Sequence, residues 1–285
     1  MSRTSPSDTP EESDVRRRPR YFLRRFAALV VLLLLAALAV LLVLWLLGAF
    51  GQSRTASSAY EDSISAGNEP QVTITNERGS LRITGEEELD QVELQAEIHA
   101  SASDAETAGQ NASDASVDLA RDGSEVTVGG LSGDAVGADY ELRVPADSRV
   151  IVDSGSGGVE AENVAALEAE LDSGDLNATG VRGPVSVRNS SGDVTLTGVS
   201  APESDLTAEV GAGDLTLEDV EANRVEAEVE TGEARITGPF SGAGEMYVET
   251  GDIVVEAPEE AVQEMDLSTG VGSVTREGGE DSEEG

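Results

Sequence analysis

The sequence predicts an all-β fold: a β-solenoid (parallel β-helix-like) ectodomain of about 19-residue coils, preceded by a single transmembrane α-helix. Three observations carry this. Seven times between Val150 and Val274 a small residue is followed by Gly, usually an acidic or small residue, and an apolar one. Ser173-Gly174-Asp175-Leu176 and Thr250-Gly251-Asp252-Ile253 are two copies, and the Gly-to-Gly spacings are 17, 18, 21, 19, 19 and 21 residues. A short period of this kind is what stacked coils produce. Around the Gly, apolar residues alternate with polar ones. Leu167, Ala169 and Leu171 precede Gly174 and Leu176, Ala178 and Val181 follow it, so each copy reads strand, Gly-acid turn, strand, connection. Finally, Phe26 to Phe50 is a run of 25 residues without a charge.

Taken in order, residues 1–25 are polar, end in a cluster of Arg and show no apolar period, so a disordered cytoplasmic tail is expected. Residues 26–50 are mainly Leu, Ala and Val; at about 1.5 Å per residue they span roughly 37 Å. That exceeds a hydrocarbon core of roughly 30 Å. A cleaved signal peptide would have an apolar core of only about 7–15 residues and a small-residue cleavage site, so an uncleaved anchor is predicted. Seven of the 18 Arg precede it, which places the N-terminus in the cytoplasm and everything after Gly51 outside. Residues 51–69 are rich in Ser, Ala and Gly and read as a linker.

The solenoid domain is expected over 70–276. Gln71–Thr75 and Val92–Ile98 alternate, and Gly79–Gly85 resembles one coil of the later repeat. His99 to Ser116 has no buried stripe and is expected to be a surface loop with room for a short helical piece. Strands resume at Val117, Glu125 and Tyr140, and the turn Pro145-Ala146-Asp147 opens the regular coils. Between consecutive copies all length variation falls in the connection, as it must where loops can lengthen only by leaving a stack. Residues 277–285 form an acidic tail expected to be disordered.

Composition excludes several functions. There is no Cys, hence no disulfide, thiol nucleophile or zinc–thiolate site. The formal charge is −38, with 11 Arg against 52 acids after Gly51. A field of this sign repels nucleic acid and anionic head groups. Acid spread over the whole ectodomain, rather than clustered, reads as an adaptation to high salt more readily than as a calcium-collecting surface. The one histidine, His99, is read as an exposed loop residue with no G-x-S-x-G elbow to support a nucleophile. No carboxylate pair stands out as an acid/base dyad. The repeat region holds one aromatic pair, Phe240 and Tyr247, which is little for the subsites of a polysaccharide lyase. The chain is therefore read as not an enzyme.

One candidate site emerges. Asp175, Asp193, Asp214, Glu233 and Asp252 occupy one turn position on successive coils. At a strand spacing of about 4.8 Å they would form a ladder of carboxylates able to hold calcium. The alternative is turn chemistry, each side chain bonding its own backbone; no other cofactor is expected. Asn177, Asn189 and Asn111 begin N-x-S/T sequons compatible with glycosylation.

The segment Tyr140-Glu141-Leu142-Arg143-Val144-Pro145-Ala146-Asp147, followed by Ser-Gly-Asp coils, resembles the adhesin-like domain family of bacterial and archaeal cell-surface proteins. So does the early coil at Gly79-Ser80-Leu81-Arg82-Ile83. The resemblance covers roughly Pro70 to Arg276 and implies a stacked, β-helix-like domain without a catalytic motif. The expected function is that of a membrane-anchored, non-catalytic extracytoplasmic domain for surface binding, adhesion or envelope scaffolding. Its partner would be an envelope protein or a glycan, not nucleic acid. The alternative is envelope-stress sensing or regulation through the anchor; a polysaccharide-active enzyme stands third.

Overall fold

The computed structural model describes residues 53–257 and 263–276. The chain divides into two units, Met1–Gln52 and Ser53–Gly285, and all described residues belong to the second. The features expected over 1–25, 26–50 and 277–285 lie outside the described residues. Among those described, no helix is long and apolar enough to cross a membrane.

Strand β1 (Arg54–Ser65) is followed by β2 (Gln71–Asn76), β3 (Leu81–Glu86), β4 (Gln91–Ala102) and helix α1 (Ala105–Asp114). Next come β5 (Val117–Asp122), β6 (Glu125–Leu131), β7 (Ala135–Pro145), β8 (Arg149–Ser156) and β9 (Val159–Glu162). The regular coils comprise β10 (Ala166–Ser173), β11 (Leu176–Thr179), β12 (Val185–Ser191), β13 (Val194–Thr197), β14 (Ser200–Ala212), β15 (Leu215–Thr231) and β16 (Ala234–Thr250). The last strands are β17 (Ile253–Glu256), β18 (Met265–Val271) and β19 (Val274–Arg276).

Two parallel faces run the length of the stack. The leading face, made by residues before each repeat Gly, orders β6, β2, β8, β10, β12, β14, the later halves of β15 and β16, and β18. The trailing face orders β7, β3, β9, β11, β13, the first halves of β15 and β16, β17 and β19. The predicted register holds: Leu167, Ala169, Leu171, Leu176, Ala178 and Val181 are all buried, and so are their counterparts Leu206, Ala208, Val210, Leu215, Leu217 and Val220. Each Val or Leu removed from water in this way stabilises the fold by about 1.5–3 kcal/mol.

Sequence order and stacking order differ at one place. The coil of β2 and β3 does not precede the coil of β6 and β7; it lies between that coil and the one made by β8 and β9. Beyond β7 the stack ends in an antiparallel cap, with β4 pairing to β7 on one side and to β1 on the other. Strand β5 folds back antiparallel on β6, and α1 packs on β1 and β4.

Two expectations about this region are corrected. Residues 51–69 are not a linker throughout: β1 pairs with β4 over all twelve of its residues, from Arg54↔Ala102 to Ser65↔Gln91. Small residues hide the period, because Ala56 and Ser58 share the half-buried side with Tyr60 and Ile64. Nor is 99–116 a loop throughout, and its helical piece is a helix of ten residues. His99 to Ala102 finish β4, and α1 follows, capped by Asp104, whose carboxylate accepts the Thr107 N–H at 2.9 Å. Ala108 and Ala112, one turn apart, make a buried stripe of minimal bulk.

Candidate ligand surface along the turn column

Each repeat Gly is required twice over. Gly174, Gly192, Gly213 and Gly232 have φ between +125° and +149°, and a Cβ on any of them would lie 1.9–2.2 Å from the carbonyl oxygen of the repeat Gly one coil before. The glycines therefore stack in direct contact, and the residue after each forms a column along one edge of the solenoid. Asp175, Asp193, Asp214, Glu233 and Asp252 stand in it as predicted.

The carboxylates are engaged by backbone. Asp175 Oδ1 accepts the N–H of Asp193 at 3.0 Å, Asp193 that of Asp214 at 2.9 Å, and Asp214 that of Glu233 at 2.8 Å. Asp252 accepts the Ser273 N–H at 2.7 Å and its hydroxyl at 2.8 Å. Turn chemistry thus operates between coils, not within one: a side chain supplies the acceptor that the backbone lacks at the turn. Glu233 breaks the run, because its longer side chain pairs with Arg235. Among the described residues, no three His, Cys, Asp or Glu side chains are grouped as metal ligands. Donors also set the charge state: the Ser273 hydroxyl, then its N–H, hold the Asp252 carboxyl below its ordinary range.

Two members of the column escaped the sequence reading. Gly79 packs on the carbonyl of Ala138, so Ala138-Asp139 takes the place of a Gly-Asp turn and Ser80 follows it in the column. Asp139 Oδ1 accepts both the N–H and the hydroxyl of Ser80 at 2.7 Å, and Oδ2 lies 2.8 Å from His99 Nε2. Burial acts to raise the Asp139 pKa, but the hydrogen bonds from His99 and Ser80 outweigh it and the carboxyl sits low. His99 is therefore a strand residue with a partner, not a free loop residue.

A second edge was legible but overlooked. Six residues after the repeat glycines stand Asn163, Gly180, Gly198, Asp219 and Gly238, all with φ between 53° and 73°. Asn, Asp and Gly are the residues that tolerate this left-handed corner.

The sequons fall in three different environments. Asn177 is exposed on β11, whereas Asn111 is half-buried in α1. Asn189 is a correction: it points inward, 1% exposed, and its amide donates to the carbonyls of Gly174 at 2.9 Å and Gly192 at 3.0 Å. A nitrogen so placed cannot carry a glycan.

The acid is not evenly spread either. On the leading face the outward positions include Glu168, Glu170, Glu209, Glu226, Glu228 and Glu230. On the trailing face the outward positions include Asn177, Thr179, Thr195, Thr197, Thr216 and Thr237 together with the acids Glu160, Glu162 and Glu218; Arg82 pairs with Glu160, and Arg235 with Glu233 and Glu256. The leading face is the more acidic of the two, and the trailing face carries fewer acids and more outward hydroxyls.

A family comparison matches this chain to the Toastrack DUF4097 model over residues 69–284. The chain belongs to the Toastrack DUF4097 family. No curated protein is similar to this Toastrack chain at a significant level. Solved structures similar to it include a "putative cell adhesion protein" from Clostridium sporogenes, 9% identical, covering 78% of this chain and 99% of that one with a TM-score of 0.37. Two proteins of Parabacteroides distasonis are also similar. One is named a "putative adhesin" (13% identity, 79% and 98% coverage, TM-score 0.38) and the other a "Putative lipid binding protein" (11%, 78% and 95%, 0.37). The domain expected from the resemblance over roughly Pro70 to Arg276 coincides with the stretch matched to the Toastrack model, residues 69–284.

Proposed function

We propose that this chain is a membrane-anchored, non-catalytic Toastrack scaffold whose rigid solenoid presents flat faces to an envelope partner outside the cell. Residues 26–50 cross the membrane, and the N-terminus is cytoplasmic. The observation that carries this reading is the segregation of outward side chains, more acidic on the leading face and more hydroxylated on the trailing face, over a core of stacked Val, Leu and Ala. A surface divided in this way discriminates between partners by charge. The test is capture from envelope extracts on the full-length chain, compared with a variant carrying Thr195→Glu, Thr197→Glu and Thr216→Glu. A partner that binds the trailing face is lost from the variant; an unchanged set of captured partners would sink the assignment of that face.

One observation favours sensing as a second reading. Strand β1 begins at Arg54, separated from Phe50 in the sequence only by Gly51, Gln52 and Ser53, and is paired into the cap, so the expected anchor and the cap are close neighbours along the chain. The acidic column remains a calcium candidate, its free lone pairs facing solvent beside the bonds to backbone. Calorimetric titration of calcium into the full-length chain at low salt tests it: heat that disappears in Asp193→Asn supports a site, and no heat removes it.

A further inference from the structure

Among the described residues the turn column runs Asp139, Ser80, Gly158, Asp175, Asp193, Asp214, Glu233, Asp252 and Ser273. Every rung but one carries an oxygen. The exception, Gly158, is not demanded by the backbone. Unlike its neighbour Gly157 (φ +127°), it lies outside the left-handed region, and a Cβ there would meet nothing nearer than the Asp175 carbonyl oxygen at 3.8 Å. An Asp would fit, and by the rule of the other rungs its carboxylate would accept the Asp175 N–H. As it stands, neither the Asp175 nor the Gly158 N–H has an acceptor among the described residues.

The missing side chain opens a cavity of about 260 Å³ on the trailing face, bounded by Ser80, Arg82, Glu160, Asp175 and Asn177. Its rim mixes donors with acceptors. The two backbone N–H groups, the Arg82 guanidinium and the Asn177 amide donate; Glu160 and Asp175 accept, as does the Ser80 hydroxyl, whose proton is given to Asp139. An anion would meet two carboxylates against one Arg that is already paired with Glu160, on a chain of charge −38. A metal cation would leave the N–H groups unanswered. A neutral molecule whose hydroxyls both donate and accept satisfies the whole rim.

We infer that the gap at Gly158 is a subsite for one neutral sugar residue of a glycan. Next to it the outward hydroxyls of Thr195 and Thr216 repeat at the strand spacing of about 4.8 Å, a step comparable to one pyranose ring, and extend the track toward neighbouring sugars. This deepens the surface-binding reading of the trailing face and rests on it.

The test is titration of the full-length chain in detergent with neutral tetrasaccharides of glucose, galactose, mannose and N-acetylglucosamine, and with tetragalacturonate as the anionic counterpart. At least one neutral tetrasaccharide should bind, and tetragalacturonate at least tenfold more weakly. Gly158→Asp should weaken the neutral ligand at least tenfold while leaving the melting temperature equal or higher, because it completes the ladder. Gly158→Ala serves as a second variant that narrows the cavity without adding charge, and should weaken binding less. Absence of binding by every neutral tetrasaccharide at millimolar concentration overturns the inference; so does undiminished binding by Gly158→Asp, or equal binding of tetragalacturonate. If the sugars fail while envelope partners are still lost from the Thr→Glu variant, only the subsite falls and the broader reading stands.

Discussion

At a repeat Gly and at Gly158 the same substitution should have different consequences, because the repeat glycines, unlike Gly158, combine a positive φ with a carbonyl 1.8–2.2 Å from the missing Cβ. Gly192→Ala adds backbone strain to overpacking, together roughly 2–5 kcal/mol, whereas Gly158→Ala should change stability by no more than about 0.5 kcal/mol. Denaturant melts of the two variants check this; equal midpoints would contradict the stacked-carbonyl geometry. The acidic rungs titrate in a definite direction. Asp139 and Asp252 have carboxyls held low in the fold. A depressed carboxyl adds stability above its unfolded pKa of about 3.9 and loses it as pH falls through the folded value. At high salt, where mutual repulsion of the acids is screened, the melting temperature should fall below about pH 4. Ser273→Ala, which removes the larger donor to Asp252, should make that fall shallower. The five repeat carboxylates were visible from spacing alone. Asp139 was not, because Ala138 stands where the motif has Gly, and only stacking shows the two to be equivalent.

Strand register makes the sharpest claim at the level of elements. Leu217 is fully buried and Glu218, its neighbour, is exposed. Leu217→Asp should unfold or shorten the stack, while Glu218→Ala should be nearly silent; similar thermal melts for both would refute the register. Asn189 is the counterpart among polar residues, buried between two turns and holding their carbonyls. Asn189→Ala should cost about 1–3 kcal/mol, since it leaves buried acceptors unpaired, and intact-mass analysis should find no glycan at this position. The coils were legible because their apolar residues are large and alternate strictly. Strand β1 and the extent of helix α1 were not, for a shared physical reason. Much of their buried sides is Ala and Ser, beside only Tyr60 and Ile64 in β1, which gives little hydrophobic signal, and their burial depends on partners in β4 that no local pattern announces. Removing residues 53–65 should therefore destabilise the cap and expose the outer edge of β4, seen as faster exchange of the amides in Gln91–Ala102.

Over the whole molecule, a charge of −38 opposes compaction and is relieved only by screening. Midpoints of thermal unfolding should rise with added potassium chloride, most steeply at low concentration, and charge reversal at Glu226, Glu228 and Glu230 should flatten the dependence. A salt-independent midpoint would argue against acidic repulsion as a limit on stability. The arrangement of coils bears on how the fold is reached. The coil of β2 and β3 is flanked on both faces by strands that come later in the chain, β6 and β7 on one side, β8 and β9 on the other. Synthesis starts at the N-terminus, so this coil must wait, both edges open, until Glu162 has left the ribosome. Past that point each further coil needs only the one before it, and assembly becomes a zipper running toward the C-terminus. Released chains truncated at Pro145 should be cut readily by protease, and released chains truncated one coil beyond Glu162 should already be protected through β9. The order of birth is thus the reverse of what the regular repeat suggests: the irregular first half closes late, as a single event, and the repetitive half grows afterwards on a finished template.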